Sequence, residues 1–170
     1  KAVHEYNYKL FKFWLDPNGD GKFDDGVDGY RLDHMMDDLD NKKRLSNLFQ
    51  TFWVPLIQKL KQINPKLTIM AEQANWGSYG IDYLEKAAVD RVFAFRIQQA
   101  IPTFDKEKIA AFADTTFSRT PQHKAQIVFI ENHDTRRYAS VKDMSQEKLK
   151  VGASLNILIG GIPLIYYGQE

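Results

Sequence analysis

Cysteine is absent from this chain of 170 residues, which excludes disulfide scaffolds, cysteine-ligated zinc, iron–sulfur sites and thiol nucleophiles together. An excess of either charge is absent too: 23 Lys and Arg offset 22 Asp and Glu, a formal net charge of +1. With no basic block, neither a nucleic-acid partner nor an anionic membrane surface is expected. Long apolar runs are also missing. The most apolar stretch, Leu155 to Tyr167, is broken by Asn156, Gly160, Gly161 and Pro163. A membrane span needs about 20 consecutive apolar residues. The chain opens on Lys1 with neither an initiator Met nor a secretory leader, so a missing natural N-terminus is expected.

What is present suits a packed core: 44% hydrophobic residues, 13% of the chain aromatic. Five short β-branched or aromatic runs stand out: Gly29–Asp33, Leu67–Glu72, Arg91–Phe95, Gln126–Glu131 and Ile162–Tyr167. Most are almost continuously apolar, the pattern of strands buried on both faces. Helical patterns lie between them. Leu45, Leu48, Phe49, Phe52, Leu56, Ile57, Leu60 and Ile63 form one stripe, closed by Pro65 and kinked at Pro55. Further helices are expected over Ile81–Ala88, Asp105–Asp114 and Gln146–Ile159, with Asp105 and Ser145 as N-caps. An opening helix over Val3–Trp14 carries an aromatic face of Tyr6, Leu10, Phe13 and Trp14. Strands alternating with helices predict an α/β fold with a parallel sheet. No low-complexity linker divides the chain.

Three strands end in polar clusters: Arg31-Leu-Asp33, Glu72-Gln-Ala-Asn-Trp76 and Glu131-Asn-His133-Asp134. In parallel α/β folds, reactive groups gather at that edge. Carboxylates delivered there suit glycoside hydrolysis, which needs an acid for the leaving oxygen and an anion for the oxocarbenium-like centre. Arg31, two residues before Asp33, points to the same strand face and would keep that carboxylate ionised. Trp76 could offer a flat face to a sugar ring, with a core or lid role as the equal alternative.

These residues reach a known pattern. Asp28-Gly-Tyr-Arg-Leu-Asp33 resembles the second conserved block of the α-amylase family of glycoside hydrolases. Ile69-Met-Ala-Glu72 resembles its third block and Phe129-Ile-Glu-Asn-His-Asp134 its fourth, while Gly161 to Glu170 is similar to the segment carrying the last barrel strand. The resemblance implies an incomplete (β/α)8 TIM barrel over residues 1–170, from the third barrel helix to the eighth strand, with strands one to three missing. It implies that Asp33 is the nucleophile, Glu72 the general acid/base and Asp134 the third carboxylate, with Arg31 beside the nucleophile and His133 on the sugar. The reaction implied is retaining hydrolysis or transglycosylation of α-glucosidic bonds in starch-like or maltodextrin substrates. No cofactor is required, and secretion or a periplasmic location is favoured by resemblance alone. A barrel cut in this way is expected to show little activity by itself.

One departure bears on specificity. Many α-amylases carry Lys-His three and four residues beyond the nucleophile, where this chain has Met36 and Asp37. That favours short or cyclic maltodextrins, or transfer, over endo-acting starch cleavage. His34 and Arg137 could line the cleft, with structural ion pairing the stronger reading. Tyr166 and Tyr167 read as packing residues and Glu170 as an anchor for the last loop. Within residues 16–28, Asp16, Asn18, Asp20, Lys22 and Asp24 have the alternate spacing of the first half of a calcium loop, Gly21 allowing the turn. Val27 stands where a bidentate Glu is expected, and an Asx-turn loop is the competing reading. Two other functions compete: a non-catalytic carbohydrate-binding relative, and a metal-dependent barrel enzyme. Surviving carboxylates weaken the first; His34 and His133, in no metal-ligand spacing, weaken the second.

Overall fold

The computed structural model describes residues 1–169. Glu170, expected to anchor the last loop, lies outside the described residues. The chain forms two compact units, one of Lys1–Ala74 with Asp82–Arg91, the other of Asn75–Ile81 with the residues from Val92 onward. Each is an α/β unit.

In the first unit, α1 (Ala2–Leu15) precedes β1 (Gly29–Met35). A π-helical turn (Phe49–Trp53) runs into α2 (Val54–Ile63), which is followed by β2 (Thr68–Gln73) and α3 (Ile81–Lys86). β1 and β2 pair in parallel, Gly29 opposite Thr68 and Arg31 opposite Met70. Gly29 permits this approach, because a Cβ there would stand 2.4 Å from the Thr68 carbonyl oxygen. Leu32, Met35, Leu56, Ile57, Leu60, Ile69 and Ala71 are buried between sheet and helices. The Lys61 ammonium holds both Asp90 carboxylate oxygens at 2.6 Å, and one of those oxygens accepts from the Ile69 amide at 2.8 Å.

Two expectations are corrected in this unit. The helical stripe does not begin at Leu45, which is exposed in an irregular loop; the helix opens at Phe49. The wide π turn gives way to α2 directly before Pro55. Proline lacks an amide donor, and here it sits in the first turn of α2, directly after the Val54 amide has made its wide bond to the Phe49 carbonyl. On α1, the face carrying Tyr6, Leu10, Phe13 and Trp14 is exposed. The packed face is another one: His4 meets Phe52 edge-on, Phe11 meets Tyr30, and Lys59 lies over the Tyr8 ring.

The second unit contains α4 (Phe95–Ala100), α5 (Lys106–Ser118), β4 (Ala125–Val128), α6 (Gln146–Leu158) and β5 (Ile162–Pro163). β3 (Arg91–Phe93) crosses the boundary between the units. β4 and β5 are parallel, Ile127 opposite Ile162. Asp105 and Ser145 cap α5 and α6 as expected, each accepting a hydrogen bond from the third residue of its helix. The core is built on Ala94, Ile97, Ile101, Val128, Ile130 and Tyr138.

Two strands are shorter than their apolar runs. β3 ends at Phe93 because the Ala94 amide donates to Ile127 while its carbonyl already accepts from Ile97 and Gln98, so Phe95 opens α4. β5 ends at Pro163; the Leu164 amide still donates to the Val128 carbonyl, and Tyr166 and Gln169 then close a turn on each other, main chain to main chain and to the Gln169 side chain. Burial of Tyr166 and Tyr167 is only partial at best: Tyr167 is exposed.

Candidate active site

β1 and β2 deliver four of the expected residues together. Arg31 Nη1 pairs with Asp33 Oδ1 at 2.7 Å and Nη2 with Glu72 Oε2 at 2.6 Å, so one guanidinium spans both carboxylates. The two acids stand in different surroundings. Glu72 is 1% exposed at the side chain and Asp33 is 72% exposed. The register of β1 against β2 shifts between Leu32 and Met35, a bulge that contains Asp33 and His34. His34 adopts φ +40°, a conformation rarely taken by a residue with a side chain. In it, the His34 amide reaches Glu72 Oε2 at 3.4 Å and its Nε2 lies 3.9 Å from Glu72 Oε1. His34 therefore stands beside the acid/base candidate, half-exposed.

The ends of the two strands are tied by a residue that the sequence patterns did not single out. Tyr83 Oη donates to the Met35 carbonyl at 2.6 Å and accepts from the Ala74 amide at 3.1 Å. Burial raises its pKa. Asp37 was also unforeseen in its role. Its carboxylate accepts from the Phe49 amide at 2.7 Å and its carbonyl from Leu48, so it fixes the start of the helix after β1. The preceding Met36 carbonyl accepts from Trp53 Nε1 at 3.1 Å. An Asp twelve residues before a helix start is not a local capping signal, which is why sequence alone did not find it.

The second unit holds His133, Asp134 and Trp76. His133 Nε2 and Asp134 Oδ2 are 3.0 Å apart, both partly exposed. The Asp134 amide donates to Asn132 Oδ1 at 3.0 Å. Trp76 stacks on Phe95, ring centroids 4.8 Å apart and planes 9° from parallel, and its carbonyl accepts from Gln99. Thus one face of the indole is already covered by an aromatic ring. Arg137 pairs with the buried Glu131 at 2.9 Å, a structural ion pair.

In the 16–28 loop, the side-chain oxygens are turned onto the loop's own backbone. Asp16 accepts from the amides of Gly19, Asp20 and Gly21; Asn18 from Asp20; Asp20 from Lys22. Among the described residues no group of three or more His, Asp or Glu side chains is gathered to hold a metal ion.

The sequence profile of the family described as alpha amylase, catalytic domain, matches residues 1–170. The chain belongs to the α-amylase family. Cyclomaltodextrinase from Bacillus sp. is 26% identical, over 99% of this chain and 28% of its own length. Neopullulanase 2 from Thermoactinomyces vulgaris is 27% identical, over 99% of this chain and 26% of its own length. The α-amylase of H. orenii superposes over 99% of this chain and 34% of its own, with a TM-score of 0.79 and 23% identity. A cyclomaltodextrinase structure gives a TM-score of 0.75 at 25% identity, over 99% of this chain and 27% of its own. The α/β architecture with parallel strands is therefore that of part of an α-amylase-family barrel, and the chain spans about a third or less of the length of these relatives.

Proposed function

We propose that this chain supplies the central catalytic residues of an enzyme that cleaves or transfers α-glucosidic bonds with retention of configuration. The supporting observation is the guanidinium of Arg31 spanning Asp33 and Glu72. Two carboxylates bound to one Arg side chain, one buried and one exposed, can divide the two roles that retaining chemistry requires. Asp33, as an anion beside Arg31, attacks the anomeric carbon and forms the glycosyl-enzyme. Glu72 protonates the departing oxygen, then takes a proton from the incoming water or sugar hydroxyl. To do so, Glu72 must exchange its contact with Arg31 for one with the glycosidic oxygen. Asp134, which pairs with His133 at 3.0 Å, takes the role of binding ring hydroxyls in this reading.

The substrate class proposed is maltooligosaccharide or cyclic maltodextrin. Asp37 is occupied in fixing a helix start, so the acceptor side lacks the basic pair that serves longer leaving groups. Among the relatives, the name cyclomaltodextrinase supports the cyclic substrate and 4-α-glucanotransferase supports transfer, beside α-amylase and amylopullulanases. The non-catalytic binding alternative is not favoured by these relatives. No step depends on calcium.

The test is the anomeric configuration of the first product, followed by proton NMR in a complete barrel carrying this chain. Initial release of the α-anomer supports the proposal. Initial release of the β-anomer would mean inversion and would overturn it.

A further inference from the structure

His133 and Asp134 ride on a segment whose two ends are joined by one buried carboxylate. Glu131 is 2% exposed. One of its oxygens accepts from the Tyr138 amide, and the other pairs with Arg137 Nη2 at 2.9 Å. The same nitrogen donates to the Tyr167 carbonyl at 2.8 Å, and the guanidinium lies over the rings of Tyr166 and Tyr167. Gly168 makes room for it: φ there is +75°, and a Cβ would stand 3.3 Å from Arg137 Nη2. Inside the segment, Thr135 Oγ1 accepts from the Asn132 amide at 2.9 Å, and Asn132 Oδ1 from the Asp134 amide. Tyr138, at the far end, is buried in the core of this unit.

A buried carboxylate is costly unless paired and hydrogen-bonded. Here both oxygens are used, and both bonds close the same loop. We propose that Glu131 and Arg137 are positioning residues that hold the 131–138 loop in the one conformation that pairs His133 with Asp134, and that Arg137 links this loop to the turn at residues 166–169. The significance for catalysis rests on the reading of Asp134 given above.

The test is made on this chain with its histidine side chains labelled with nitrogen-15. In the neutral form, the contact to Asp134 places the proton on His133 Nε2, so its two ring nitrogens give separate, tautomer-specific resonances. In Arg137→Met and Glu131→Gln these are expected to move toward the averaged pattern of the exposed His123, while His34, in the other unit, keeps its own. Arg137→Lys, which retains the charge but not the fork, is expected to recover part of the wild-type pattern. A His133 pattern unchanged in both Arg137→Met and Glu131→Gln overturns the proposal. If Arg137→Met does not fold, Glu131→Gln decides alone, because its amide oxygen still accepts from Tyr138 while its NH2 group, a donor, can no longer accept from Arg137. The glycosidic reading fails separately: Asp134→Ala at wild-type rate in a complete barrel would remove it while leaving the NMR result in place.

Discussion

Arg31 and Glu72 lie 41 residues apart in the chain and meet in a 2.6 Å ion pair. The pair exists because Arg31 stands opposite Met70 in the β1–β2 ladder, two residues before the acid. The same side chain turns back along its own strand to Asp33. A planar guanidinium can satisfy two carboxylates at once, which an ammonium on a flexible stem cannot do as well.

Arg31→Ala is therefore expected to lower kcat by roughly 10²–10³, the size of effect that follows loss of one preorganised charge-stabilising donor. Arg31→Lys should fall between wild type and Arg31→Ala. Steady-state kinetics in a complete barrel checks both; a kcat unchanged in Arg31→Ala would show that the bridge has no part in the reaction.

Tyr83 is the second structural dependence. Tyr83→Phe leaves the Met35 carbonyl and the Ala74 amide without the hydroxyl that joins them. A cost of about 1–3 kcal/mol is expected, read as a Tm lowered by about 2–4 °C for each kcal/mol. Differential scanning calorimetry measures it, and a Tm equal to wild type would contradict the tie.

Burial sets an alkaline limit on stability. Burial pushes Tyr30 and Tyr138 up from 10.0 to about 12. The folded state thus favours the neutral phenols. Their contribution is fully present below pH 10.0 and is lost as the pH rises through about 12. Urea midpoints should fall across that window, and Tyr30→Phe should flatten the fall. A pH-independent midpoint there would contradict the assignment.

Calcium remains a proposal for the loop of Asp16, Asn18, Asp20, Lys22 and Asp24. Its alternate spacing supports binding, and the carboxylates keep lone pairs beside those that accept from the backbone amides. With Val27 where a bidentate Glu would complete the loop, binding should be weak, with Kd no tighter than about 10⁻⁴ M. Titration with calcium while following Tm tests this. Stabilisation at micromolar calcium, lost in Asp20→Ala, would contradict the weak-site reading.

Much of this arrangement was legible in the residues. Nearly continuous apolar runs marked β2 and β4, and Asp105 and Ser145 announced α5 and α6 because capping is a local signal. The adjacency of Arg31 and Asp33 followed from strand period alone. What was not legible depended on distant partners. β3 stops where it does because Ala94 is claimed by β4 on one side and α4 on the other. The face of α1 that packs was set by Phe52, Tyr30 and Lys59, not by where the most aromatics lie. Tyr83 and Glu131 act across turns that no spacing rule reads.

The central claim is that Asp33 is the group that bonds to the sugar. Its most direct test is to treat a complete barrel carrying this chain with 5-fluoro-α-glucosyl fluoride and to map the adduct by peptide mass spectrometry. The account predicts a covalent fluoroglucosyl group on Asp33, absent in Asp33→Asn. An adduct on Glu72 or Asp134 instead would contradict it.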